Sequence, residues 1–162
     1  LGRLLRTNLL ILLAIFTASM VGCAHLKSER TIVRNLNFPL TVLQSTVEQS
    51  LPAGKRKVST NGREFYSEYF ISDGQNFRLV QKPSFRMYAK VTVLGDRRPF
   101  DLEVVVYRER RIEGDGVNNR EPASYEVIGD DQRLAKVVMS RISETLAKRR
   151  EDRNFIDDFR VF

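Results

Sequence analysis

Two stretches of this chain alternate apolar and polar residues with the period of a β-strand. Phe85, Met87, Ala89, Val91 and Val93 are separated by Arg86, Tyr88, Lys90 and Thr92. Phe100, Leu102, Val104 and Val106 are separated by Asp101, Glu103, Val105 and Tyr107. Successive side chains of a strand point to opposite faces, so each stretch predicts an antiparallel strand with one face buried. Gly95-Asp96-Arg97-Arg98-Pro99 turns the chain between them. Upstream, Lys57-Val58-Ser59-Thr60 and Arg63-Glu64-Phe65-Tyr66 flank Asn61-Gly62. That dipeptide predicts a two-residue hairpin whose turn positions both take positive φ, its second arm running on to Ile71 before Asp73-Gly74. Residues 77–84 are ambiguous, and Pro83 argues against a central strand there. Ser124-Tyr125-Glu126-Val127-Ile128 predicts a last strand.

Helical spacing brackets this sheet. Leu36, Leu40, Leu43, Val47 and Leu51 recur three or four positions apart and share one face, with Asn37 as a cap and Pro39 in the first turn. Pro52-Ala53-Gly54 ends that helix. Near the C-terminus Leu134, Val138, Ile142 and Leu146 line a second helix. Asp130 and Asp131 stand at its predicted start and Lys148-Arg149-Arg150 at its predicted end, as the macrodipole favours. The tail from Asn154 carries Phe155, Ile156, Phe159, Val161 and Phe162, apolar enough to fold back on the domain or meet a partner. The fold class expected is α+β: an antiparallel meander of about four to five strands flanked by two helices packed on one face.

The N-terminus reads differently. Arg3 and Arg6 precede the apolar run from Leu9 to Phe16, and small or apolar residues lead into Cys23, the single cysteine. Charge, then an apolar run too short to span a bilayer, then small residues is the order of a secretory signal peptide. The first residue, Leu1, is what a non-standard start codon translated literally would give. Residues 1–22 are therefore expected to be a leader, 23–35 a polar tether (Thr31-Ile32-Val33 a brief strand within it), and 36–162 one domain. Cleavage before Cys23 leaves 140 residues, enough for a real core, with a net charge of about +5 against +7 for the whole chain. At 42% hydrophobic and 29% charged, the composition is that of a globular protein rather than a disordered one.

Catalytic chemistry is sparse. The single histidine, His25, lies in the tether, so a Ser–His–acid triad or a zinc site has little to draw on. Glu113, Asp115, Asn118 and Asn119 offer oxygens around two glycines, but not in EF-hand spacing, and a solvated loop accounts for them better. Asp157-Asp158 and Asp130-Asp131 are adjacent pairs, which do not face each other as a catalytic dyad must. No cofactor is expected, and an enzyme acting on the cell wall is the least supported class. Basic runs stand out: Lys55-Arg56-Lys57, Arg97-Arg98, Arg108 with Arg110-Arg111, and Lys148-Arg149-Arg150. The plainer reading is a solvated surface with arginines paired to Glu103, Glu109 and Glu113. As binding sites behind a leader, their partners are phospholipid headgroups, lipopolysaccharide phosphates, teichoic-type polymers or acidic proteins rather than nucleic acid. Tyr66, Phe70, Tyr88 and Tyr107 alternate with charged residues. Together with Arg86, Lys90, Arg108 and Arg110 they form a candidate partner or anion surface, the alternative being packing at the sheet edge.

Met20-Val21-Gly22-Cys23 resembles the lipobox of bacterial lipoproteins, with Met20 where Leu is usual. The resemblance implies diacylglyceryl transfer to Cys23, an acylated mature N-terminus and membrane attachment through those chains. Ala24, where Asp would imply retention at the inner membrane, implies the periplasmic face of the outer membrane. The order helix, antiparallel sheet, helix over Leu36 to Arg150, with Asn61-Gly62-Arg63-Glu64-Phe65, is similar to the helix-grip domains of the C-subunit lipoproteins of the barrel-assembly machinery. That likeness implies a non-catalytic binding or scaffolding module in envelope assembly or maintenance, with an envelope protein as partner. The alternative is a lipid or lipopolysaccharide carrier.

Overall fold

The computed structural model describes residues 30–158 except 75, 82 and 113–123, with side chains as far as Arg150. The leader, the lipobox, His25, the 113–119 loop and the last four residues lie outside the described residues. The architecture is α+β, with an open antiparallel sheet and two helices. In chain order the elements are β1 (Thr31–Leu36), α1 (Leu40–Ser50), β2 (Lys55–Val58), β3 (Glu64–Ser67) and β4 (Phe70–Asp73). They continue with β5 (Asn76–Leu79), β6 (Phe85–Leu94), β7 (Phe100–Arg111), β8 (Tyr125–Asp130) and α2 (Gln132–Asp158). Among the described residues no helix is long and apolar enough to cross a membrane.

The two alternating stretches form the centre. β6 and β7 pair without a break from Phe85↔Arg110 to Leu94↔Asp101. Their alternation buries Ala89, Val91 and Val93 with Phe100, Leu102, Val104 and Val106. The sheet around them is not a plain meander. β1 and β8 lie end to end along the outer side of β7, and β3 and β4 end to end along the outer side of β6, with β2 beside β3 and β5 beside β4. The eight strands therefore occupy five lanes, and short strands that the apolar pattern alone does not reveal complete the outer ones.

Local chemistry explains the departures from the expected boundaries. Leu36 ends β1 and is not part of α1, which starts after Pro39; the Pro39 carbonyl accepts from the N–H groups of Val42 and Leu43 at 3.0 and 3.1 Å. Asn35 has φ 61°, a conformation Asn tolerates, and its N–H donates to Asp101 Oδ1 at 3.0 Å where the β1–β7 register slips. The β2–β3 hairpin exists, but its connection covers residues 59–63. Gly62 alone has positive φ there, Asn61 does not, and the Gly62 N–H closes on the Ser59 carbonyl at 2.9 Å.

The second arm of that hairpin does not continue to Ile71. At Ser67 the hydroxyl accepts from the Ala89 N–H at 2.8 Å and donates to the Glu68 carbonyl at 2.8 Å, taking the place of a ladder bond. Pairing with β6 ends at Tyr66↔Lys90 and resumes at Phe70↔Met87. Across this break the side-chain alternation shifts by one residue.

Asp131 caps α2: its Oδ1 accepts from the Leu134 N–H at 3.0 Å. Asp130 belongs to β8 rather than to the helix. The helix runs to Asp158, past Lys148-Arg149-Arg150, so that run lies within it and not at its negative end. Arg149 instead donates to Ser45 Oγ at 2.6 Å and Gln49 Oε1 at 2.7 Å, tying α2 to α1. Leu43 and Val47 of α1 and Leu134, Val138, Ile142 and Leu146 of α2 join the sheet's apolar residues in one core.

Candidate functional site

On the face of β6 and β7 opposite those core residues stand Arg86, Tyr88, Lys90 and Thr92, paired across the strands with Glu109, Tyr107, Val105 and Glu103. Neighbouring strands add Glu64 and Tyr66 in register with Thr92 and Lys90. All five tyrosines of the chain, Tyr66, Tyr69, Tyr88, Tyr107 and Tyr125, come together here. Tyr88 is the hub. It stacks on Tyr107 at 5.2 Å between centroids, tilts against Tyr66 at 6.5 Å and meets Tyr69 edge-on at 6.0 Å. A phenol suits a sheet face that is part packed and part wet, because its ring takes burial while its hydroxyl keeps a polar partner.

Arg86 sits inside this cluster. Its guanidinium carbon lies 3.5 Å from the Tyr69 ring centre and 3.4 Å from that of Tyr125, and its Nε donates to Glu109 Oε2 at 2.6 Å. The side chains of Arg86 and Glu109 retain 14% and 11% of their exposure. Such a largely desolvated cation is held by two rings and a carboxylate at once. Arg56 reaches over from β2, 4.2 Å from the Tyr69 centroid, with Nη1 donating to the Tyr69 hydroxyl at 2.9 Å. The Tyr125 hydroxyl donates to the Pro83 carbonyl at 2.9 Å.

A second ionic group lies beside it. Lys90 Nζ is 2.7 Å from Glu64 Oε1, and the Tyr66 hydroxyl donates to Glu64 Oε2 at 2.9 Å. The Lys90 and Tyr66 hydrogen bonds hold the Glu64 carboxyl below its ordinary pKa, and the bond to Glu64 raises that of Lys90. Burial, then the bond to Glu64, pushes the Tyr66 phenol up; burial, then the charge of Glu109, does the same to Tyr88.

Of the residues singled out from the sequence, Tyr66, Arg86, Tyr88, Lys90 and Tyr107 share this face. Phe70 does not: it is fully buried in the core, 4.9 Å from the Phe77 ring. The shift at Ser67 is the cause, since it turns Phe70 inward and puts Tyr69 on the face instead. Arg108 and Arg110 alternate with Tyr107 and Glu109 and so point to the opposite side, where Arg110 pairs with Glu126 at 2.6 Å. Arg56, Tyr69 and Tyr125 were not legible as members of the site. Tyr125 carried the clearer signal, lying two positions from Val127 on a predicted strand. Among the described residues no three His, Cys, Asp or Glu side chains gather as a metal site requires. No family model, no curated protein and no solved structure matches this chain.

Proposed function

We propose that the chain is a non-catalytic, lipid-anchored envelope module whose tyrosine and arginine face docks an envelope protein. In this reading Cys23 is acylated, residues 24–29 are part of the tether, and the domain stands at the periplasmic face of the outer membrane. Both helices cover the core side of the sheet in the manner of a helix-grip domain, which leaves the tyrosine side to a partner. The observation that carries the docking role is Arg86 clasped between Tyr69 and Tyr125 and anchored by Glu109. Tyr and Arg are, with Trp, the side chains enriched at binding hot spots, and side chains already held in place lose little entropy on association.

A lipid or lipopolysaccharide ligand is the weaker reading. Arg86, Lys90 and Arg110 each already hold a carboxylate, so an anionic headgroup would have to displace Glu109, Glu64 or Glu126. Metabolic labelling with a palmitate analogue tests the anchor: wild type takes up label and Cys23→Ser does not. An unlabelled mature protein refutes the compartment assigned here.

A further inference from the structure

The lane outside β7 is interrupted. β1 begins at Thr31, opposite Val104, and β8 ends at Asp130, opposite Tyr107, so among the described residues Val105 and Val106 have no registered strand neighbour on that side. The Asp131 N–H closes on the Val106 carbonyl at 2.8 Å, which satisfies the backbone there without filling the gap above it. On the tyrosine face the interruption is a concavity of about 420 Å³, within the range of small-ligand sites of roughly 300–1,000 Å³.

Its apolar part is Val105, Val127 and the Tyr107 ring, which Tyr88 supports from the side of β6. Its polar part is Arg30, Lys90, Thr92, Glu103 and Asp130. The charges in that set balance, two cations against two carboxylates. Both cations are also engaged, Arg30 with Glu103 at 3.0 Å and Lys90 with Glu64 at 2.7 Å. A site of this kind does not favour an anion. It offers a braced aromatic ring and closely spaced donors and acceptors that a neutral ligand can use without breaking an ion pair. An aromatic face carries partial negative charge and attracts C–H groups, while hydroxyls gain strong hydrogen bonds from ionised partners. A pyranose ring presents both surfaces at once.

We infer that this break in the sheet binds a neutral saccharide, one sugar ring lying against Tyr107 and its hydroxyls meeting Thr92, Glu103 and Lys90. The inference goes beyond the docking role proposed above and does not rest on it. The test uses the full-length chain in detergent, titrated by calorimetry and by saturation-transfer NMR with chitotetraose, maltotetraose and, as the anionic comparison, inorganic phosphate. At least one tetrasaccharide should bind saturably with a Kd of about 1 mM or tighter, and phosphate should not compete. Tyr107→Ala should weaken binding about 10-fold or more, whereas Tyr107→Phe, which keeps the ring, should stay within about 3-fold of wild type. Because Tyr107→Ala also removes the stack on Tyr88, Thr92→Val serves as a second variant that leaves the ring in place and should weaken binding several-fold. Absence of saturation by both tetrasaccharides, displacement by phosphate, or unaltered binding by Tyr107→Ala and Thr92→Val overturns the inference.

Discussion

Arg86→Ala empties the gap between the Tyr69 and Tyr125 rings and strips the Glu109 carboxylate of its 2.6 Å donor. Two losses add. Each cation–π contact contributes about 0.5–1 kcal/mol on a partly exposed ring, so the pair is worth about 1–2 kcal/mol. Leaving a carboxylate desolvated and unpaired costs about 3–5 kcal/mol when burial is complete; the remaining 11% exposure of Glu109 brings this to about 2–3 kcal/mol. The expected total is about 3–5 kcal/mol, a large share of the stability of a domain this size. Urea unfolding followed by near-ultraviolet dichroism of the tyrosines measures it. The Arg86→Met, Glu109→Met double variant separates the two losses, because it removes the stranded charge and should recover at least about 2 kcal/mol relative to the sum of the single changes. A loss under about 1 kcal/mol for Arg86→Ala, or strict additivity in the cycle, would refute the idea that this ion pair organises the face.

Other expectations follow from the same geometry. The Thr46 hydroxyl is fully buried and has no hydrogen-bond partner among the described residues, so Thr46→Val should raise stability by about 1 kcal/mol in the same urea assay. Phe70→Ala should cost about 3–5 kcal/mol because it opens a cavity in the core, while Tyr66→Ala, on the half-exposed face, should cost about 1 kcal/mol. Tyr66 and Tyr88 ionise above the ordinary phenol value. Between the unfolded and folded values the folded state therefore binds more protons, so their contribution is complete below about pH 10 and is lost as pH rises through the folded values. Spectrophotometric titration should show late-ionising phenols that disappear in Tyr66→Phe and Tyr88→Phe; a wild-type titration with no late-ionising phenol, or one unchanged by both substitutions, would contradict the packing described.

The parts of the fold that were legible are those fixed by local pattern. β6 and β7 alternate over enough residues to mark their buried faces, and Asp131 announces the start of α2. What escaped depends on distant atoms. The phase shift at Ser67 exists because its hydroxyl meets the Ala89 N–H, twenty-two residues away, and nothing near Phe70 records that. The same shift hid Tyr69. β1 extends past Val33 through Arg34 and Asn35 because Phe100, Leu102 and Val104 offer it an edge, not because its own residues favour a strand. β4 and β5 have four residues each, too few to show a period. For the face itself, alternation gave Tyr88 and Tyr107, whereas the clasp on Arg86 required four segments to converge.

Photocrosslinking in intact cells tests the docking role most directly. A benzophenone amino acid is placed at Tyr107, on the tyrosine face, or at Lys136, exposed on α2. The account predicts one discrete adduct with an envelope protein from position 107, abolished by Arg86→Ala in the same chain, and none from position 136. Equal adducts from both positions, or an adduct at 107 that survives Arg86→Ala in a folded protein, would contradict it.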